Sequence, residues 1–165
     1  MLPPDAVITD RGAVALSDQV AIVSESAELE CALAHAARLR GAERLAATVA
    51  ALEIVDHGLY LPGTESSWVE QRRQHLRELT TDGRYEAAEL AFAAGELHQA
   101  ERLTESILEA EPYHEPAWRL AMRVASARGD DHGVLRSYER CNQVLADVGA
   151  EPSATTRQLV DQLRR

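Results

Sequence analysis

The fold is decided by two segments that repeat one pattern: YEAAELAFAAGELHQAERLTESILEAEP at 85–112 and RLAMRVASARGDDHGVLRSYERCNQVLA at 119–146. Gly95 and Gly129 hold the same place in the two segments, and apolar residues at helical spacing lie on both sides of each glycine. We therefore predict two helix–turn–helix units in which glycine permits the tight turn. The apolar positions are Tyr85, Ala88, Ala91, Phe92, Ala100, Leu103 and Ile107 in the first unit, and Trp118, Ala121, Met122, Ala125, Val134, Tyr138, Cys141 and Leu145 in the second.

The distance from Gly95 to Gly129 is the period typical of tetratricopeptide repeats, which are helix–turn–helix units of about 34 residues. Ala88 and Ala100 are small enough to let two helices approach closely, and Pro112 ends the first unit. Such repeats need about three stacked units to bury a continuous core, so the flanking helices must join the stack. The predicted fold class is all-α, a tetratricopeptide-like helical repeat stack with a short N-terminal β-hairpin.

The flanking segments predict the remaining elements. Ala6–Thr9 and Ala13–Leu16 surround a loop glycine and predict the hairpin of residues 1–20, whereas residues 21–165 form the helical domain. An antiparallel helix pair follows, from Ser24 to Arg40-Gly41 and on to His57-Gly58. The remaining expectations are a loop over 58–63, a helix opened by a Ser67–Glu70 capping box and ending near Asp82-Gly83, and a closing helix from Pro152-Ser153 with Leu159, Val160 and Leu163 facing inward.

Charge and composition exclude several classes of function. The chain has 165 residues, 17 basic against 27 acidic, and a formal net charge of −10, which opposes binding to phosphates. It contains no apolar run long enough for a membrane span and no signal peptide, so we expect a cytoplasmic protein. Cys31 and Cys141 stand apart from other metal ligands and are predicted to be small buried hydrophobes.

No motif of an enzyme is present. The chain lacks a phosphate loop, a dinucleotide-binding glycine pattern, a zinc-protease motif and a nucleophile elbow. The six histidines are scattered, and Asp130-Asp131-His132 is best explained as a polar turn in which an aspartate caps the next helix. We predict neither catalysis, nor a metal, nor a cofactor.

Two arginine clusters are the candidate binding residues. Arg72, Arg73 and Arg77 lie near Glu70 and Glu78, which fits a solvated helix with local ion pairs or a contact with another domain or protein. Arg119 and Arg123 lie four residues apart, on the helix face that lines the concave groove of a repeat stack. They are either solvated or, with Tyr85, Glu89 and Phe92 of the preceding unit, form a groove for an acidic or carboxylate-bearing peptide.

The order of these features resembles the bacterial transcriptional activation domain of the antibiotic regulatory protein type of regulators. The resemblance rests on the loop Gly58–Gly63, on Trp68 with Glu70 and Arg72, on the repeat helices, and on the tail Leu145–Ser153, and it covers about residues 20 to 165. In that family the domain follows a winged-helix DNA-binding domain that ends in a β-hairpin wing. The hairpin of residues 1–20 is similar to that wing.

The resemblance implies transcriptional regulation through RNA polymerase or through self-association, for example as a homodimer. DNA would be bound only by a winged helix that is missing from this chain, either because the chain is a fragment of a longer regulator, which we favour, or because the DNA-binding domain was lost. The alternative is a tetratricopeptide scaffold of a signalling or ATPase regulator that is unrelated to DNA binding.

Overall fold

The computed structural model describes residues 7–10, 13–16, 24–54 and 60–164. In this part of the chain two short strands, β1 (Val7–Asp10) and β2 (Ala13–Leu16), pair antiparallel with Val7 opposite Leu16. Residues 1–6 and 17–23 lie outside the described residues, so the assignment of residues 1–20 to a wing stays a prediction. Within the described residues seven helices follow: α1 (Glu25–Ala36), α2 (Gly41–Glu53), α3 (Ser67–Ala93), α4 (Leu97–Ala110), α5 (Glu115–Ala127), α6 (Asp131–Ala146) and α7 (Ala154–Leu163). The helical repeat fold is confirmed.

Identical turns close the two repeat units. Gly95 and Gly129 have positive φ angles of 79° and 72°, the left-handed conformation that glycine adopts without steric cost. At the first turn, the Glu96 N–H donates to the Ala91 carbonyl at 2.9 Å; at the second turn, the Asp130 N–H donates to the Ala125 carbonyl at the same distance. The repeated turn therefore returns α4 onto α3 and α6 onto α5 in the same way.

Small side chains form the crossing of α3 with α4. Ala87, Ala88, Ala91 and Ala100 are fully buried there, and α5 adds its Leu120 to the same cluster. Because alanine keeps the helix axes close, this core has little space for larger side chains.

The second unit buries larger side chains. Trp118 and Met122 of α5 pack against Val134 and Cys141 of α6, and Val160 of α7 completes the cluster. The Trp118 indole N–H donates to the Pro112 carbonyl at 2.8 Å, so its one polar group is satisfied. The predicted closing helix thus covers the end of the repeat.

Helix α3 differs from its prediction at both ends. It does not end near Asp82-Gly83 but runs on to Ala93. Gly83 lies inside the helix, where an added Cβ would meet Leu33 and Leu52 side chains at 3.3 Å. The missing side chain of Gly83 lets α1 and α2 pack closely against α3. In the sequence alone, a glycine with this packing role looks the same as a glycine that ends a helix.

The predicted capping box is displaced by one residue. The N-cap of α3 is Ser66, whose hydroxyl accepts from the Val69 N–H at 3.4 Å. Ser67 is the first helical residue, and the Glu70 carboxylate binds Arg73 and Arg77 instead of the backbone. The predicted start of α1 after Ser24 is confirmed, whereas the predicted end of the second helix at His57-Gly58 lies outside the described residues.

The two cysteines have different environments. Cys141 is buried as predicted, and burial, together with the negative charge of Glu115, raises the pKa of its thiol to about 11. The prediction for Cys31 is wrong, because this residue is exposed. It lies two residues beyond the buried Leu29 on α1, which places it about 200° around the helix.

We expect the two thiols to react at very different rates. Near pH 8, iodoacetamide should modify Cys31 quickly and leave Cys141 unmodified, since the reactive thiolate is scarce and buried at Cys141. Mass spectrometry of the native chain should therefore find one modified thiol of two. Cys31→Ser should abolish the fast reaction, and fast modification of Cys141 in that variant would contradict the packing of α6.

The N-terminus of α6 gives a second prediction. The Asp130 carboxylate accepts from the Gly133 N–H at 2.8 Å, and a Cβ added at Gly133 would clash with the same carboxylate. We expect Gly133→Ala to displace the cap and to lower the free energy of unfolding by about 1–3 kcal/mol in urea titrations. Asp130→Ala, which removes the capping carboxylate, should also lower the free energy of unfolding. If both changes act through the Asp130 cap, the double variant should lose less free energy of unfolding than the two single variants lose together. Losses that add fully would show that Gly133→Ala does not act through the cap.

Candidate functional site

The register of the two repeat units brings the predicted groove residues together. Tyr85 and Arg119 hold equivalent places on α3 and α5, and so do Glu89 and Arg123. Because α3 and α5 are the first helices of successive units, equivalent side chains on them lie side by side along the stack. The structure thus places these side chains on one face.

Glu89 is the centre of this cluster. One of its carboxylate oxygens, Oε1, accepts from the Tyr85 hydroxyl at 2.9 Å and from Nη1 of Arg123 at 2.7 Å. The Arg123 guanidinium also lies over the Phe92 ring, 4.5 Å from its centre. The ion pair with Glu89 and the cation–π contact with Phe92, both made by Arg123, therefore join α3 to α5, whereas the Tyr85–Glu89 hydrogen bond lies within α3.

Tyr85 is a half-buried titratable group of the cluster. Its burial raises the pKa of the hydroxyl, and the neighbouring Glu89 carboxylate raises this pKa further. Its ring also contacts the His114 ring, with centres 5.5 Å apart. Tyr85 therefore stays neutral and serves as a hydrogen-bond donor.

Arg119 points towards α7 and takes part in a second network. The Glu115 carboxylate accepts from the Thr156 hydroxyl at 2.5 Å, from the Ser153 hydroxyl at 2.9 Å and from the Ser153 N–H at 3.0 Å. Arg119 Nη1 donates to the Thr156 hydroxyl at 3.1 Å and lies 3.9 Å from Glu115. This network fastens the N-terminus of α7 to α5.

The second network also sets the charge of Glu115. Burial alone would raise the pKa of this carboxyl, but hydrogen bonds from Thr156 and Ser153 and the charge of Arg119 outweigh it and lower the pKa below its ordinary value. Glu115 is therefore ionised at neutral pH and holds the start of α7 as an anion.

A small cavity of about 240 Å³ separates the two networks. Its walls come from α3, α5 and α7, and its polar groups are hydroxyls, amides and the two arginines. This volume fits one or two side chains of a bound segment, and not a whole ligand. The lining residues are Tyr85, Arg119, Arg123, Thr155, Gln158, Leu159 and Gln162.

The arginines of the groove are already paired within the chain. Arg123 balances Glu89, and Arg119 balances Glu115, so the groove carries less net positive charge than the sequence pattern indicates. The side chains of Arg123 and Arg119 nevertheless remain 36% and 26% exposed. Their use by a peptide stays a prediction.

The other three arginines also have partners within the chain. Arg72 forms a two-pronged ion pair with Glu30 of α1, at 2.6 and 3.0 Å. Arg73 donates to the carbonyls of Tyr60, Leu61 and Thr64 and so holds the loop before α3. Arg77 pairs with Glu70 and keeps half of its side chain exposed.

The Glu115 network was not foreseen from the sequence. The sequence indicates this network only weakly. Glu115 stands at the start of α5, and its partners Ser153 and Thr156 follow 38 and 41 residues later in the tail. The sequence predicts Ser153 as the start of the closing helix, and the structure confirms it as the N-cap, since its hydroxyl accepts from the Thr156 N–H. Only the stacking of α7 on α5 shows that the same hydroxyls bind Glu115.

Metal sites and membrane spans are both absent from the part of the chain that the structure describes. It contains no group of three or more His, Cys, Asp or Glu residues that could hold a metal ion. Nor does any of its helices combine the length and apolarity needed to cross a membrane.

The comparison with known proteins covers all seven described helices, α1 to α7. The family model of the bacterial transcriptional activator domain matches residues 25–164. The match begins at the first residue of α1 and ends one residue after α7, and it confirms the resemblance found in the order of motifs. No curated protein matches the chain.

The lowered pKa of Glu115 predicts a pH-dependent contribution to stability. This contribution is complete above the ordinary glutamate pKa of 4.5 and is lost as the pH falls through the lower pKa of the folded state. Glu115→Gln should therefore reduce the free energy of unfolding by about 1–2 kcal/mol near neutral pH, and by less as the pH falls below that ordinary value.

Urea titrations at several pH values test this expectation. The matched control is Glu151→Gln, because the Glu151 side chain is 88% exposed and its ion pair with Arg157 spans 3.9 Å. The control should change stability little at any pH. A Glu115→Gln effect that is equal at all pH values would show that charge does not stabilise this network.

Proposed function

We propose that this chain, which belongs to the bacterial transcriptional activator domain family, is the protein-interaction and regulatory part of a transcription activator. The observation that carries the proposal is the family match over the whole helical body. The repeat fold supports it, since stacked helix pairs provide extended surfaces for binding other proteins.

The proposed contact surface is the groove formed by Tyr85, Glu89, Phe92, Arg119 and Arg123. It combines aromatic rings with partly exposed guanidinium groups, which suits an acidic or carboxylate-bearing segment. We propose RNA polymerase as the partner, or a second copy of this chain. A partner carboxylate would share Arg123 with Glu89 and would fill the cavity beside α7.

Arg72, Arg73 and Arg77 are proposed as a secondary contact with another domain or protein. Arg77 is the best suited of the three, because half of its side chain is exposed while its ion pair with Glu70 lies at the surface. Arg73 contributes indirectly, since it holds the loop before α3 in place.

DNA recognition is proposed to lie outside this chain. With a formal net charge of −10, the chain repels phosphates, and a winged-helix domain before the hairpin of residues 1–20 would supply the contacts. The proposed regulator requires neither catalysis nor a cofactor. It would act in the cytoplasm, where bacterial transcription takes place.

An exchange of the two charges of an ion pair tests the groove as a binding surface while keeping the contact between α3 and α5. In the double variant Glu89→Arg/Arg123→Glu the ion pair between α3 and α5 can re-form, but the charges face a partner in reverse order. We expect the wild-type chain to retain purified bacterial RNA polymerase in a pull-down, and the exchanged variant to retain it at least about tenfold more weakly.

The matched control is the double variant Glu101→Arg/Arg128→Glu. It exchanges the ion pair that joins α4 to the end of α5, outside the groove. This control should bind polymerase like the wild type, and circular dichroism should show that all three chains are folded. Equal capture by all three would exclude the groove as the contact. Failure of the wild-type chain both to capture polymerase and to self-associate in sedimentation would favour the alternative, a scaffold unrelated to transcription.

A further inference from the structure

A larger cleft, of about 730 Å³, lies on the α1 side of the helical stack. It is bounded by the start of α1, the residue after α2, the loop before α3, the middle of α3 and the end of α4. A volume between about 300 and 1,000 Å³ is typical of sites for small molecules. The groove residues on α5 do not line this cleft.

Most of the cleft wall is apolar. Leu29 of α1 is buried at its base, and Leu76 of α3 is half-buried. Leu61 lies at the rim and is 42% exposed. The other apolar lining residues are Ile54, Pro62 and Ala110. Such a wall favours an apolar ligand body, because binding removes apolar surface from water on both partners.

The rim loop is strained and held in place. Leu61 has a φ of 47°, in the left-handed region that a leucine rarely adopts. Arg73 holds this conformation by donating to the carbonyls of Tyr60 and Leu61 at 3.0 and 2.8 Å. A non-glycine residue in this conformation costs free energy and often marks a binding site, where the surrounding structure keeps a side chain in a required position.

Arg84 supplies a charge without a partner. It lines the cleft from α3 and is half-buried, yet among the described residues it has neither an ion pair nor a hydrogen bond. The other two lining arginines are engaged, Arg73 with the loop and Arg77 with Glu70 and Gln74. Of the lining carboxylates, Glu111 already accepts from the Thr81 hydroxyl at 2.7 Å.

The lining charges differ from those of the whole chain. The chain carries 27 acidic residues against 17 basic ones, whereas the described lining has three arginines and only Glu25 and Glu111 as acids. A partly desolvated guanidinium binds a carboxylate through charge-assisted hydrogen bonds, which are stronger than neutral ones.

We propose that this cleft binds a small amphipathic carboxylate, with its apolar body against Leu29, Leu61 and Leu76 and its carboxylate on Arg84. Such a ligand would be an effector of the helical domain. The proposal goes beyond the function proposed above, and its test requires neither polymerase nor DNA, so the two can fail separately.

Decanoate is the probe, with 1-decanol as its uncharged counterpart. Decanoate is used below its critical micelle concentration and 1-decanol below its solubility limit, both with the full chain. Titration calorimetry should show saturable binding of decanoate and about tenfold weaker binding of 1-decanol. In amide ¹H–¹⁵N spectra, decanoate should shift the backbone signals around Leu29, Leu76 and Arg84 most.

Arg84→Gln should weaken decanoate binding about tenfold and leave 1-decanol binding unchanged. The matched control is Arg102→Gln, which removes an exposed arginine of α4 that does not line the cleft. This variant should bind decanoate like the wild type. Absence of saturable binding, equal binding by Arg84→Gln and the wild type, or shifts confined to other surfaces would overturn the proposal.

Discussion

The tight glycine turn between paired helices is the constraint on which the rest of this structure depends. Gly95 and Gly129 adopt the same left-handed conformation at equivalent places of the two units and close their helices with the same backbone hydrogen bonds. Because the two units are built alike, equivalent positions on α3 and α5 lie side by side. The contact of Glu89 with Arg123 is a direct result of this register.

Ion pairs between helices account for much of the surface chemistry of this acidic chain. Arg72 joins α3 to Glu30 of α1, Arg44 joins α2 to Glu86 of α3, and Arg128 joins the end of α5 to α4. The chain contains no lysine, so every one of these pairs uses a guanidinium group, which can bind a carboxylate through two hydrogen bonds. An arginine that is half-buried and yet has no partner, as Arg84 is within the described residues, is therefore informative about binding.

The two surfaces proposed for binding differ in how they are built. The groove beside α7 is small and its charges are balanced internally, so it suits the side chains of a protein partner. The cleft beside α1 is larger, mostly apolar and bordered by a strained loop. The Glu115 network at α7 and the Arg73 contacts at the loop show the same principle, since in each a charged side chain holds an irregular segment against the stack.

The sequence by itself determined the helical repeat, its period, the turns at Gly95 and Gly129, the closing helix and the family. These features depend on local patterns: apolar spacing, helix caps and the conformational freedom of glycine. Only the tertiary structure decided that Gly83 lies inside a helix, that Cys31 is exposed, and that Arg119 and Arg123 are paired with carboxylates. The physical reason is that burial and ion pairing depend on which helix packs opposite. Residues as far apart as Glu115 and Thr156 meet only when the chain is folded.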